Sequence, residues 1–228
     1  MKLIGMLDSP YVRRVAISLQ LLGLRFEHDP LSVFRTFEAF RRINPVVKAP
    51  TLVCDDGEVL MDSTLIIDYA ESIAAPGSSL MPPAGPRRLR ALHRIGLALA
   101  ACEKGVQIVY ERNLRPPEKQ HEPWIARVRG QLAAALGALE VEQQRDPLRA
   151  DPDTIDQAGI TLAVVWHFLR ATVPDVVGPE PYPALVAFSD AAEHLPTFRA
   201  APHAETTMDP AASGAGRRAF GASAGASS

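Results

Sequence analysis

At 228 residues and 47% apolar, the chain is long enough for one large or two small packed domains, and too apolar for a disordered one. Its 24 lysines and arginines against 26 aspartates and glutamates leave a formal charge of -2, without the positive field that non-specific nucleic-acid binding needs. The most apolar stretches, Ile95 to Val109 and Ile160 to Leu169, fall short of the roughly 20 residues that cross a bilayer, and the first carries Glu103 and Lys104, so no membrane partner is expected.

The opening run Lys2 to Met6 reads as a short strand, broken by Asp8-Ser9-Pro10 before it can form the apolar region of a secretory signal. Ser9 at an N-cap with Pro10 at the first helical position starts a helix. Val12, Val15, Ala16, Leu19 and Leu22 recur at helical spacing, and Gly23 stops them, giving a helix over about Pro10 to Leu22. A second strand is expected in Arg25 to Leu31, and a short helix in Phe34 to Ile43, ending before Asn44-Pro45. Thr51 to Cys54 and Val59 to Met61 are strands joined by Asp55-Asp56-Gly57, whose Asp-Gly pair signals a tight hairpin and so an antiparallel pair. Asp62-Ser63 then caps a helix carrying Leu65, Ile66, Tyr69 and Ile73. The order over residues 1–75 is βαβαββα.

Residues 76–86, rich in Pro, Gly and Ser, read as a linker. Beyond it no strand pattern is visible, and residues 87–201 are expected to be all helical: Arg87 to Arg112, Trp124 to Arg145, a buried helix behind a Thr154-to-Gln157 capping box, Pro183 to Glu193, and a short last helix over Leu195 to Ala201. Residues 202–228 are small and polar and read as a flexible tail. Only Cys54 and Cys102 are present, far apart; His28, His93, His121, His167, His194 and His203 show no ligand spacing. Neither a disulfide framework nor a metal site is expected, and a reducing cytoplasm fits best. Arg13 and Arg14 are read as a solvated face of the first helix.

The order βαβαββα, then a Pro-rich linker, then helices only, resembles the cytosolic glutathione transferase family over residues 1–201. Ser9-Pro10-Tyr11-Val12-Arg13-Arg14 is similar to the first turn of its serine-type members, Asn44-Pro45 with Lys48-Ala49-Pro50 to the segment around its cis-proline, and Asp62-Ser63 to its acidic-Ser motif. The chain departs from the family in having Val47 where Gly is common and Ala49 where Val is common. The resemblance implies a thioredoxin-like α/β N-terminal domain that holds glutathione, and an all-α C-terminal domain for a second substrate. It implies no metal, a homodimer, and a transferase of the detoxification type.

Each motif has its own physical logic. A hydroxyl at a helix N-terminus stabilises a thiolate; taken alone, Ser9-Pro10 is more often an ordinary helix cap, and the other motifs reverse that preference and make Ser9 the candidate catalytic residue. By resemblance the Ala49 main chain beside a cis-Pro50 pairs with the cysteinyl unit of glutathione, against the alternative of an ordinary trans proline entering a strand. Ser63 and the helix start behind it can take a carboxylate and Asp62 an ammonium, or the pair is a plain cap. Lys48 either meets the glycyl carboxylate or is solvated. Tyr11 ranks well below Ser9 as a substitute hydroxyl. The second-substrate pocket is expected near Met6, Leu7, Val109, Tyr110 and Arg112. The expected activity is conjugation of the glutathione thiolate to small hydrophobic electrophiles. The alternatives are a glutathione-dependent isomerase or dehalogenase, and a non-catalytic glutathione- or ligand-binding stress-response module. A thiol-disulfide oxidoreductase lacks its paired cysteines.

Overall fold

The computed structural model describes residues 1–203, and the expected tail lies, apart from its first two residues, outside the described residues. The elements are β1 (Lys2–Ile4), α1 (Pro10–Leu21), β2 (Glu27–Asp29), α2 (Phe37–Ile43), β3 (Thr51–Val53), β4 (Val59–Met61), α3 (Ser63–Ile73), α4 (Pro86–Leu114), α5 (Glu122–Arg145), α6 (Gln157–Thr172), α7 (Pro183–Glu193) and α8 (Pro196–Ala200), with one 3-10 turn at Pro117–Lys119. The sheet order is β2-β1-β3-β4. β1 runs parallel to β2, with Leu3 opposite His28, and antiparallel to β3, with Leu3 opposite Leu52; the Asp-Gly turn brings β4 back beside β3. This is a thioredoxin-like α/β N-terminal domain followed by a helical C-terminal region, as the element order in the sequence implies.

Two local differences from the sequence expectation have identifiable causes. α2 begins at Phe37 because Ser32 and Thr36 spend their hydroxyls on a turn: Ser32 Oγ accepts from the amides of Phe34 and Arg35 at 3.1 Å, and Thr36 Oγ1 accepts from the Ser32 amide at 2.8 Å. α6 is capped by Asp156, whose Oδ1 accepts from the Gly159 amide at 2.9 Å, and not by Thr154; Gln157 turns inward, where its Oε1 accepts from Ser18 Oγ of α1 at 3.0 Å. α6 is nonetheless the buried central helix expected, with Trp166 and Leu169 inside the core. α4 crosses it at Gly105, where a Cβ would stand 2.2 Å from Leu169 Cδ2.

The paired arginines of α1 reverse the expectation of a solvated face, because α1 is covered on one side by the N-terminal domain and on the other by the C-terminal helices. Arg13 and Arg14 are each 1% exposed. The Arg13 guanidinium grips the Glu193 carboxylate with two bonds of 2.7 and 2.6 Å, donates from Nε to the Ala201 carbonyl at 2.8 Å, and lies 5.7 Å from the Phe198 ring centre. His167 Nδ1 stands 3.5 Å from the same carboxylate. The start of α1 is thereby fixed to the last turns of the described chain.

Two stability changes follow. Arg13→Met leaves Glu193 three-quarters buried without its fork, and a loss of about 3 kcal/mol is expected in urea unfolding. Gly105→Ala gains helix propensity but drives a methyl into Leu169, and a net loss of about 1–2 kcal/mol is expected by the same measurement. An unchanged midpoint in either variant contradicts the packing described.

Candidate functional site

Three chain reversals meet at one point. Gly5, at the end of β1, adopts φ +136°, and a Cβ there would lie 2.6 Å from Val12 Cγ2 and 3.2 Å from the Ala49 Cβ. Only glycine lets β1, α1 and the 44–51 loop approach so closely. Ser9 sits at the N-cap of α1, its Oγ accepting from the Val12 amide at 3.4 Å, with Pro10 at the first helical position. This cap bond uses Oγ as an acceptor and leaves its O–H proton to be donated elsewhere.

The 44–51 loop is held from below. Asn44, buried at its base, donates to Thr51 Oγ1 at 2.8 Å and accepts from the Val46 amide at 3.0 Å; Thr51 Oγ1 in turn donates to the Lys48 carbonyl at 2.7 Å. The Ala49-Pro50 peptide is cis. Val47 has φ 53°, a left-handed conformation that suits glycine better than a β-branched side chain.

Asp62, at the N-cap of α3, also has positive φ, 75°, and its Oδ1 accepts from the Thr64 amide at 2.9 Å. Such a conformation costs of order 1–3 kcal/mol, and Asp62 and Ser63 at the start of the helix both line the cavity. Lys48 Nζ lies 3.5 Å from Asp62 Oδ2, both side chains about half exposed. Ser63, the first residue of α3, is 4% exposed, and its Oγ accepts from Arg14 Nη1 at 3.0 Å.

These groups line a single cavity of about 400 Å³ that includes Ser9, Lys48, Ala49, Pro50, Asp62 and Ser63 on one wall. The opposite wall is largely apolar and comes from α4 and α6: Val106, Val109, Tyr110, Phe168 and Thr172, with Val33 and Phe34 closing it from the N-terminal domain. Phe34 and Tyr110 meet edge to face, ring centres 6.0 Å apart, across the two halves of the chain. Of the residues expected to form the second-substrate pocket, Val109 and Tyr110 line the cavity. Met6, Leu7 and Arg112 stand outside it. Met6 Sδ faces Arg35, Leu7 packs against the core, and the Arg112 guanidinium is turned away by two bonds to Asp175 of 2.9 and 2.8 Å. Sequence reading passed over Val106, although Val106, Val109 and Tyr110 share one helix face by i, i+3, i+4 spacing.

Tyr11 also lines the cavity, but burial and the neighbouring Cys102 thiol push its phenol well above the ordinary range, so it is a neutral hydroxyl at any working pH. Cys102 itself is buried and pushed up to about 12, an inert thiol. Among the described residues no group of three or more His, Cys, Asp and Glu gathers to hold a metal, and no helix is long and apolar enough to cross a membrane.

Residues 3–79 match the family model of the glutathione S-transferase N-terminal domain. The GST-like protein YibF of Escherichia coli, itself uncharacterized, is 30% identical over 175 residues, covering 76% of this chain and 85% of the relative. The maleylacetoacetate isomerase of Pseudomonas aeruginosa is 31% identical over 153 residues, 63% of this chain and 71% of that protein. Among solved structures, a glutathione S-transferase of Methylobacterium radiotolerans in complex with glutathione sulfonate superimposes with a TM-score of 0.81 at 28% identity, covering 91% of this chain and 97% of the other. A glutathione transferase family member of Pseudomonas fluorescens with bound glutathione gives a TM-score of 0.76 at 31% identity over 88% and 97%. By sequence over most of its length and by fold, the chain belongs to the glutathione S-transferase family of enzymes.

Proposed function

We propose that this protein binds glutathione in the cavity between its N-terminal domain and its C-terminal helices and transfers the glutathione sulfur to a small, uncharged, hydrophobic electrophile. The observation that carries the reading is one cavity with a polar wall of Ser9, Ala49, Asp62 and Ser63 facing an apolar wall of α4 and α6, at a volume of about 400 Å³. In this reading the Ser9 hydroxyl donates to the sulfur, and with the N-terminal amides of α1 it favours the thiolate over the thiol. The Ala49 main chain pairs with the cysteinyl unit. Asp62 faces the γ-glutamyl ammonium, Ser63 and the α3 amides take its carboxylate, and Lys48 leaves Asp62 for the glycyl carboxylate. The thiolate then attacks the electrophilic carbon: a C–S bond forms, and either a leaving group departs with its electron pair or the adduct takes up a proton. No covalent enzyme intermediate is needed.

The isomerase relative supports a second reading, in which the thiolate adds to an anionic keto acid and later leaves again. The lining of the cavity favours conjugation. Among its described residues Lys48 is the one cation, and it faces Asp62 at 3.5 Å, so the apolar wall offers a carboxylate-bearing substrate no partner. Functionally, the chain is divided into residues 1–75 for glutathione, 76–86 as connection and 87–201 for the electrophile. The exposed apolar side chains Val46 and Leu65 of the N-terminal domain, 60 and 63% exposed, and Leu89 and Leu92 of α4, 70 and 50% exposed, support a homodimer in which each chain's N-terminal domain packs on its partner's helices. Two buried free thiols suit a reducing cytoplasm.

Steady-state turnover of a neutral aromatic halide, with glutathione consumption measured beside it, tests the reading. Stoichiometric consumption with a thioether product is expected, and Ser9→Ala is expected to lower kcat roughly 100-fold. Turnover of a keto acid without glutathione consumption supports the isomerase instead, and tight glutathione binding without either reaction leaves a binding module. Sedimentation equilibrium is expected to give twice the 24.7 kDa chain mass; a monomer contradicts the proposed packing.

A further inference from the structure

Three of the side chains that line the cavity are charged: Asp8, Lys48 and Asp62. Lys48 and Asp62 face each other at 3.5 Å on the polar wall, where the function proposed above puts the two ends of glutathione. Asp8 has no part in that scheme. It is half-buried in the tight turn that joins β1 to α1, a turn in which the Ser9 amide donates to the Met6 carbonyl at 3.2 Å, and it directly precedes the N-cap. Several polar residue types suit such a turn. A carboxylate is the costly one beside a hydroxyl that is to hold a thiolate, because two anions repel each other.

The titratable groups that feel Asp8 are neutral. Burial first, and then the Asp8 carboxylate, raise the Tyr110 phenol of α4 above its ordinary range, so it stays protonated. Burial lowers the His203 imidazole, with Asp8 acting the other way, so it is uncharged at pH 7. Arg13, one turn into α1, is held by the Glu193 carboxylate. Tyr110 belongs to the largely apolar wall, so the field of Asp8 falls on the side of the cavity that would take the electrophile.

Resting on the function proposed above, we infer that Asp8 is a specificity-determining residue that sets the charge of the second substrate: its carboxylate, on the cavity wall next to Ser9, turns away electrophiles that carry a carboxylate and favours those that present a cation or a hydrogen-bond donor. Consecutive Cα atoms are about 3.8 Å apart, so groups attached to a carbon under attack at a sulfur held by Ser9 lie within a Debye length, about 8 Å, of the Asp8 side chain. One unit charge acting on another at that range, in a partly screened interior, changes selectivity by roughly tenfold.

The test uses three aromatic halides that differ only in a group one methylene from the ring: a carboxylate, a carboxamide and an ammonium. kcat/KM is measured for each on the full chain and divided by the rate constant of its uncatalysed reaction with glutathione thiolate. For the wild type the carboxamide is expected to exceed the carboxylate by at least about tenfold, and the ammonium to match or exceed the carboxamide. Asp8→Asn is expected to bring all three within about threefold of one another while changing the carboxamide itself by less than about threefold, and Asp8→Glu to keep the wild-type order. Should Asp8→Asn not fold, salt carries the same test: the wild-type ratio is expected to narrow to under about threefold between about 20 mM and about 0.5 M, and a ratio indifferent to salt contradicts the inference. A wild type that uses the three halides equally, or an Asp8→Asn variant in which all three fall in parallel, makes Asp8 a turn residue only and overturns the inference while the transferase reading stands. Bound glutathione with turnover of none of the three overturns the transferase reading and the inference with it.

Discussion

Everything in this molecule hangs on α1 being buried on both sides while carrying two adjacent arginines. A cation that is 1% exposed is tolerated only if something specific receives it, and the two side chains find receivers in opposite directions. Arg13 reaches the C-terminal end of the described chain and closes on Glu193 with a two-bond fork, while Arg14 reaches the beginning of α3 and rests on two hydroxyls. One helix therefore ties the C-terminal helices to the sheet domain and braces a second helix start. Ser9 is the N-cap of that same helix, so the residue that faces the sulfur in the proposed reaction sits on an element held from both sides.

The site is built from backbone ends and few charges. Gly5 permits the close approach of β1, α1 and the Ala49 loop, Asn44 and Thr51 hold that loop from beneath, and Asp62 caps the start of α3 at positive φ. Two helix N-termini converge on one cavity, each with a hydroxyl residue at its mouth, and dipoles that converge there favour anions more than either does alone. Glutathione carries its negative charge as a thiolate and carboxylates, and the facing wall of Phe168, Val106 and Tyr110 excludes water from where a hydrophobic partner would sit.

Much of this was legible in the sequence because it depends on short-range chemistry. Ser9-Pro10 starts a helix, Asp55-Asp56-Gly57 turns a hairpin, with Gly57 at φ 90°, and Asp62 caps α3, all through residues within a few positions of one another. What could not be read depends on partners far along the chain. Arg13 and Arg14 look solvated until residues some 180 and 49 positions away cover them. Arg112 looks like a pocket residue until Asp175, 63 positions on, turns it outward. Thr154 and Gln157 have the spacing of a capping box, but the inward pull of Ser18 on Gln157 hands the cap to Asp156. In each case the local rule was sound and a tertiary contact outweighed it.

The central claim, that the start of α1 makes a thiolate of bound glutathione, is tested most directly by its ultraviolet absorbance. The thiolate band is followed across pH with glutathione bound to the wild type and to Ser9→Ala. The account predicts a band that persists well below the free thiol range of about 8.5 in the wild type and retreats to that range in the variant. A band that titrates at the free value in both proteins, with glutathione bound, contradicts it.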